Sequence, residues 1–225
     1  MKNTLLKLTQ ASREVKNGSK EVTLLDNINL EVQEGEFISL MGPSGSGKST
    51  LLNCIGMLDN FTDGGYIFLN EVVHSMKDKQ KSKLYKDYIG FVFQAYHLID
   101  ELTVFENIET PLLYKNVKSS ERKALVADML DRFNIVGKKD LFPIQLSGGQ
   151  QQLVGVARAL ISKPKLILAD EPTGNLNSKQ STEIMELFTE LNKEGVTIIQ
   201  ATHSESNAAY GSRTINLLDG KIVQD

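Results

Sequence analysis

The chain has 225 residues, 40% hydrophobic and 24% charged, a composition that fills a core and excludes disordered, collagen-like and coiled-coil classes. Lys and Arg number 25 against 28 Asp and Glu, a formal net charge of −3, so no nucleic-acid partner is expected. The single cysteine, Cys54, excludes an internal disulfide framework and a Cys-rich zinc site and suits a reducing compartment.

No apolar run approaches the ~20 residues of a membrane span, and MKNTLLKLTQ lacks the apolar segment of a signal peptide. No direct membrane span is therefore expected. The first forty residues alternate β-formers with turn residues and are read as antiparallel strands at the edge of a core. Phe37 to Met41 is a short buried strand, followed by a glycine-rich turn and a helical run from Leu51. Gly64 to Leu69 and the terminal Ile215 to Val223, with its Asp219-Gly220 turn, are further antiparallel edge strands. The lysines at 77, 79, 81, 83 and 86 read as a solvated helix face, and an anionic lipid surface is the sharper alternative. Residues from about 98 to 160 are helical in pattern, with Leu125, Met129, Leu130 and Phe133 on one side of a helix. Leu166 to Ala169 and Val196 to Ala201 are strand-length apolar runs, and Ser178 to Glu194 between them spaces Ile184, Leu187, Phe188 and Leu191 as an amphipathic helix. No repeat or long linker divides the chain, so a single α/β domain over 1–225 with a helical insertion is expected.

Three motifs carry chemistry. Gly42-Pro43-Ser44-Gly45-Ser46-Gly47-Lys48-Ser49-Thr50 is a complete G-x-x-x-x-G-K-S/T between a strand and a helix. Its glycines let backbone N–H groups face a phosphate, the helix N-terminus adds positive potential, Lys48 adds a cation and Ser49 is a ligand for Mg²⁺. After Leu166 to Ala169, Asp170 and Glu171 emerge at the carboxyl end of a strand, the edge where such sheets bind ligands. Asp170 is expected in the Mg²⁺ shell and Glu171 on the attacking water of phosphoryl transfer. Finally, Ser147-Gly148-Gly149-Gln150 has the S-x-x-Q spacing of a capping box. The two glycines also leave bare N–H groups at a helix N-terminus for a second anion contact.

In this order, GPSGSGKST, Phe93-Gln94, LSGGQ, LILADEP and then His203, the chain resembles the ATP-binding-cassette (ABC) ATPases over essentially its whole length. The resemblance implies a RecA-like P-loop ATPase core with an antiparallel β subdomain and a helical insertion. It implies ATP and Mg²⁺ as cofactors and a head-to-tail homodimer in which LSGGQ of one copy closes over the ATP of the other. An integral membrane permease subunit would be the partner, with the chain peripheral on the cytoplasmic face of the inner or plasma membrane. By the same resemblance Gln94 contacts Mg²⁺ and the attacking water, and His203 holds the γ-phosphate. FVFQAYHLIDELTVFENIETPLLY, EPTGNLN and LSGGQQQ look like the branch of lipoprotein-release, macrolide-export and antimicrobial-peptide-resistance ATPases. An ATP-gated scaffold like the related cell-division ATPase is the second reading. A GTPase is disfavoured because Asn192-Lys193-Glu194-Gly195 lacks the Asp that reads guanine.

The chain departs from that family in three places. It has no Phe, Tyr, Trp or His before Phe37 to stack on adenine. Val15 stands near that position, or Arg13 offers its guanidinium plane, so weaker affinity or relaxed base choice is expected. Asn177 replaces an Asp while keeping the ability to cap a helix, and Leu153 stands where a basic residue is common. His74 and His97 are read as structural, and Cys54 as a small buried apolar residue.

Overall fold

The computed structural model describes residues 3–18, 20–115 and 117–223. Two sheets organise it. Strands β1 (Thr4–Asn17), β2 (Lys20–Gln33), β4 (Asp63–Phe68) and β5 (Glu71–Val72) form an antiparallel sheet in the order β2-β1-β4-β5. The second sheet contains β3 (Phe37–Met41), β6 (Ile89–Phe93), β7 (Leu166–Asp170), β8 (Thr197–Ala201), β9 (Arg213–Leu218) and β10 (Lys221–Val223), in the order β10-β9-β3-β8-β7-β6. Every pairing from β9 to β6 is parallel, and β10 alone runs antiparallel. Here the structure corrects the expected antiparallel edge: β9 lies in parallel register with β3, Ile38 opposite Arg213, and only the β9–β10 hairpin around Asp219-Gly220 is antiparallel.

The central strands read as unbroken apolar runs because both of their faces are covered. Ile38, Leu40, Leu166, Leu168, Ile199 and Ala201 face one cluster, shared with the antiparallel sheet and helix α1 (Lys48–Ile55). Phe37, Ile167, Ala169 and Ile198 face the other. The second cluster is closed by α3 (Val104–Leu113), α4 (Ser119–Arg132), α5 (Gly148–Leu160) and α6 (Ser178–Lys193). Val126 and Leu130 of α4 are fully buried in it, with Leu125 and Met129 packed alongside. Helix α2 (Asp78–Tyr88) buries no residue, which agrees with a solvated lysine face. Lys81 bonds Asn60, and Lys86 lies over the Tyr114 ring.

The buried polar residues Ser39 and Gln200 bond each other and α7 (Glu205–Ala208), while Gln200 Oε1 has no partner among the described residues. Ser39 donates to the Ala208 carbonyl at 2.9 Å, and Gln200 donates to Ser39 and to the Asn207 carbonyl. His74 accepts from the Tyr66 N–H at 3.1 Å, a structural role. Burial, reinforced by the Asp59 charge, pushes the Cys54 thiol up to about 12, so it behaves as an apolar packing residue.

The end of helix α1 lies tightly against Phe91 of β6 and Leu168 of β7. A Cβ on Gly56, just past its end, would fall on the Phe91 ring and 2.9 Å from the Leu168 side chain. Gly56→Ala is therefore expected to cost about 1–3 kcal/mol through overpacking. A urea titration would show a lower midpoint at unchanged slope; an unchanged midpoint would mean that Phe91 moves aside without cost.

Candidate active site

The loop from β3 to α1 supplies the first part of the site. Gly42, Gly45 and Gly47 have φ of 152°, 81° and 103°, conformations that a side chain would strain. Gly47 caps α1 with no side-chain bond, which leaves the first-turn N–H groups open. Lys48 folds back over the loop, and its Nζ donates to the Gly42 carbonyl at 2.7 Å and the Pro43 carbonyl at 2.9 Å. It is 8% exposed and forms no ion pair among the described residues. A desolvated ammonium held only by carbonyls lacks a counter-charge, and phosphate is the anion this cradle suits. The buried Ser46 hydroxyl also has no partner among the described residues. The loop is anchored from behind, since Gly220 donates to the Ser46 carbonyl at 3.0 Å.

Ser44, Gly45, Gly47, Lys48, Ser49 and Thr50 line a cleft of about 1110 Å³ that also contains Gln94, Asp170, Glu171 and His203. Thus the phosphate loop, the acids and the residues inferred from family resemblance share one cavity, although they lie as far apart in sequence as 44 and 203. The reason is the sheet. β3, β8, β7 and β6 are parallel neighbours, so their carboxyl ends open on the same side.

Glu171 is held in an unusual backbone conformation, φ 46°, which marks a position fixed by its surroundings. Its N–H donates to the Ala201 carbonyl at 3.0 Å, and its Oε1 lies 2.9 Å from His203 Nδ1. With the carboxylate ionised and therefore acceptor-only, Nδ1 carries the proton between them. Further bonds fix the two loops that bear this pair. Asn207 donates to Thr173 at 2.7 Å, and the buried Gln152 of α5 donates to the Pro172 carbonyl at 2.6 Å.

Gln94 follows β6 and exchanges hydrogen bonds with Asn175: its Nε2 donates to Asn175 Oδ1 at 3.1 Å, and Asn175 Nδ2 returns to the Gln94 carbonyl at 3.0 Å. Two residues later the chain turns through Tyr96 and His97, both at positive φ. Arg158 of α5 clamps this turn by donating to both carbonyls, at 2.9 and 2.6 Å. Desolvation holds the Arg158 pKa below its ordinary value, and both carbonyls compensate for that burial. His97, read from sequence as structural, packs its ring on Phe93 at 4.5 Å and lines the cleft.

Ser147 caps α5 as its spacing predicts: the Gln150 side chain accepts from the Ser147 N–H at 3.0 Å, with a longer return bond of 3.4 Å. The glycines have a second explanation in packing. A Cβ on Gly148 would stand 2.7 Å from Tyr96 Oη, and one on Gly149 would stand 2.7 Å from Gln180 Nε2. Ser147, Gly149 and Gln150 line a separate cleft of about 200 Å³ with Leu153, whose side chain packs on the second core cluster, and share no residue with the phosphate cleft. Asn177 keeps the capping role expected of it, accepting from the Gln180 N–H at 3.0 Å.

No cluster of three or more His, Cys, Asp or Glu among the described residues forms a metal site by itself. Among the oxygen donors lining the phosphate cleft are the Ser49 hydroxyl, the Asp170 carboxylate and the Gln94 amide. These few oxygen donors suit Mg²⁺, which takes most of its remaining ligands from substrate phosphates and water.

Sequence reading missed Asn175, Arg158, Gln152 and Asn207. Their partners lie 20 to 81 positions away, so no local spacing announces them.

The ABC transporter family matches residues 25–174 of the chain. The uncharacterized ABC transporter ATP-binding protein YvrO of Bacillus subtilis strain 168 is 45% identical over 98% of this chain and 96% of its own length. The macrolide export ATP-binding/permease protein MacB of Pectobacterium atrosepticum is 40% identical over 100% of this chain. The chain spans only 35% of that longer protein. Among solved structures, the ATP-binding cassette MJ0796, in a dimeric post-hydrolysis state bound to ADP and Pi, is 42% identical. It superposes with a TM-score of 0.90 over 97% of both chains.

Proposed function

Because this chain belongs to the ABC transporter family and is its ATP-binding, ATP-hydrolysing cassette, we propose that two copies pair head to tail around two Mg-ATP. In this reading they drive a separate integral membrane permease of the lipoprotein-release or macrolide-export type. One observation carries the proposal: Ser147, Gly149 and Gln150 open into a cleft that shares no residue with their own phosphate cleft. The capped glycine turn at the N-terminus of α5 then meets a nucleotide only if a second copy presents one. No helix among the described residues is long and apolar enough to cross a membrane, and in this reading the permease supplies the membrane-spanning part.

In this reading the Lys48 ammonium and the first-turn N–H groups of α1 offset the triphosphate charge. Ser49, Asp170 and Gln94 would hold Mg²⁺, which when bound neutralises phosphate charge and polarises the phosphoryl oxygens. Glu171 takes a proton from water as the water oxygen bonds to the γ-phosphorus. The bond from that phosphorus to the β–γ bridging oxygen breaks, its electron pair leaves with ADP, and the proton on Glu171 passes to solvent. His203 keeps Glu171 aimed through the 2.9 Å contact and stands against the γ-phosphate.

Tagged Glu171→Gln protein purified from detergent-solubilised native membranes tests the proposal. A polytopic protein is expected to copurify in stoichiometric amount with Mg-ATP, and the wild-type ATPase rate is expected to rise several-fold on reconstitution with it. Recovery of soluble or cell-division proteins alone would favour the ATP-gated scaffold.

A further inference from the structure

The order of strands gives the phosphate cleft a direction. The loop that cradles phosphate leaves β3. On one side of β3 lie β8, β7 and β6, which lead into His203, Asp170, Glu171 and Gln94. On the other side lie β9, β10 and the β1–β2 hairpin, joined where Asp26 donates to the Gly220 carbonyl at 2.9 Å and Lys221 pairs with Asp26 at 3.1 Å. A triphosphate with its terminal phosphate at the acids therefore extends its base toward the hairpin. At that end the cleft is lined by Val22, Thr23, Leu24, Asp219 and Gly220.

These groups hold a base without identifying it. Val22 is 40% exposed and sits directly across the register from Val15; aliphatic carbons attract any ring by dispersion and rank none of them. The exposed Asp219 carboxylate can accept from the exocyclic amine that adenine, guanine and cytosine all carry. The hairpin's one guanidinium is occupied. Arg13 bonds both Asp59 oxygens at 2.8 and 2.9 Å and the Glu14 carbonyl at 3.3 Å. It does not line the cleft, so its face is not presented to a base there. Of the cleft's rings, Phe93 and His97 pack on each other and His203 is bonded to Glu171 at the acid end.

We propose that this chain selects its substrate by the triphosphate and accepts ATP, GTP and CTP alike. The inference rests on the nucleotide-hydrolysing reading of the cleft and extends it to the substrate class. Titration calorimetry of full-length Glu171→Gln protein with the Mg²⁺ complexes of ATP, GTP, CTP and inorganic tripolyphosphate provides the test, together with wild-type turnover of the three nucleotides. The three affinities, and the three turnover rates, are expected to agree within about tenfold, less than a single read hydrogen-bonding group contributes. A larger preference for adenine in either measurement overturns the proposal.

Two variants, Val15→Tyr and Val22→Tyr, locate the base. A ring at either position should raise affinity for ATP and GTP by about fivefold or more, the lower end of what base stacking supplies, while tripolyphosphate affinity stays unchanged. If both variants unfold at the parent temperature yet neither gains, the base does not lie at the hairpin and the proposal falls. Failure of every ligand to bind, tripolyphosphate included, would instead reject the nucleotide site itself.

Discussion

Glu171→Gln is expected to bind ATP with parent affinity and to hydrolyse it at least about 100-fold more slowly, the lower range of what a positioned general base contributes. The substitution keeps the shape of the side chain and removes its proton affinity. The backbone at this position is fixed by the bond from Glu171 N–H to the Ala201 carbonyl, so the amide occupies the same place. The change at the His203 contact is small, because an amide oxygen still accepts from Nδ1–H across the 2.9 Å separation. With binding intact and hydrolysis blocked, the ATP-bound dimer should accumulate, seen as a doubling of mass in light scattering with Mg-ATP. Parent-like turnover in this variant would remove Glu171 from the role of base.

Lys48→Ala is expected to lower ATP affinity by about 100-fold or more, in line with truncating one member of a buried charged pair. In the free chain the ammonium donates only to the Gly42 and Pro43 carbonyls and is 8% exposed, so its desolvation is compensated by two neutral acceptors. A bound phosphate supplies the missing opposite charge. Folding should change by no more than about 1 kcal/mol, because loss of two hydrogen bonds is offset by relief of a buried charge. Fluorescent-nucleotide titration alongside thermal unfolding separates the two effects. Parent affinity in a folded Lys48→Ala chain would show that the ammonium does not touch the phosphates.

The phosphate loop was legible because its physics is local. Glycines that accept positive φ, a lysine and a hydroxyl must follow one another in one turn, so their spacing survives in the sequence. The same holds for the caps at Ser147 and Asn177, where the partner lies three residues on. The apolar runs of β3, β7 and β8 were legible too, since strands buried on both faces are mostly apolar on both, and the few buried polar residues there, such as Ser39 and Gln200, bond one another or nearby carbonyls.

Other features required the fold. The β9 segment has strand chemistry that suits either direction, and only its register against β3 made it parallel. Val15 or Arg13 meets a base by sequence position, and only the fold ties Arg13 to Asp59, 46 residues away, off the cleft lining, while Val22 opposite Val15 lies on it. The glycines after Ser147 read as bare anion contacts, and in the folded chain the ends of the Tyr96 and Gln180 side chains also crowd the space a Cβ would take.

What the sequence by itself determined is the chemistry of the chain: a triphosphate cradle, two acids after a buried strand, and a capped glycine turn, each encoded by neighbours within a few residues. What only the tertiary structure decided is which of these meet. The parallel sheet brings Lys48, Gln94, Asp170, Glu171 and His203 into one cleft and leaves Ser147 and Gly149 in another. Such long-range placement depends on strand order and helix packing, which arise from the burial of apolar surface across the whole chain and leave no spacing in any one segment.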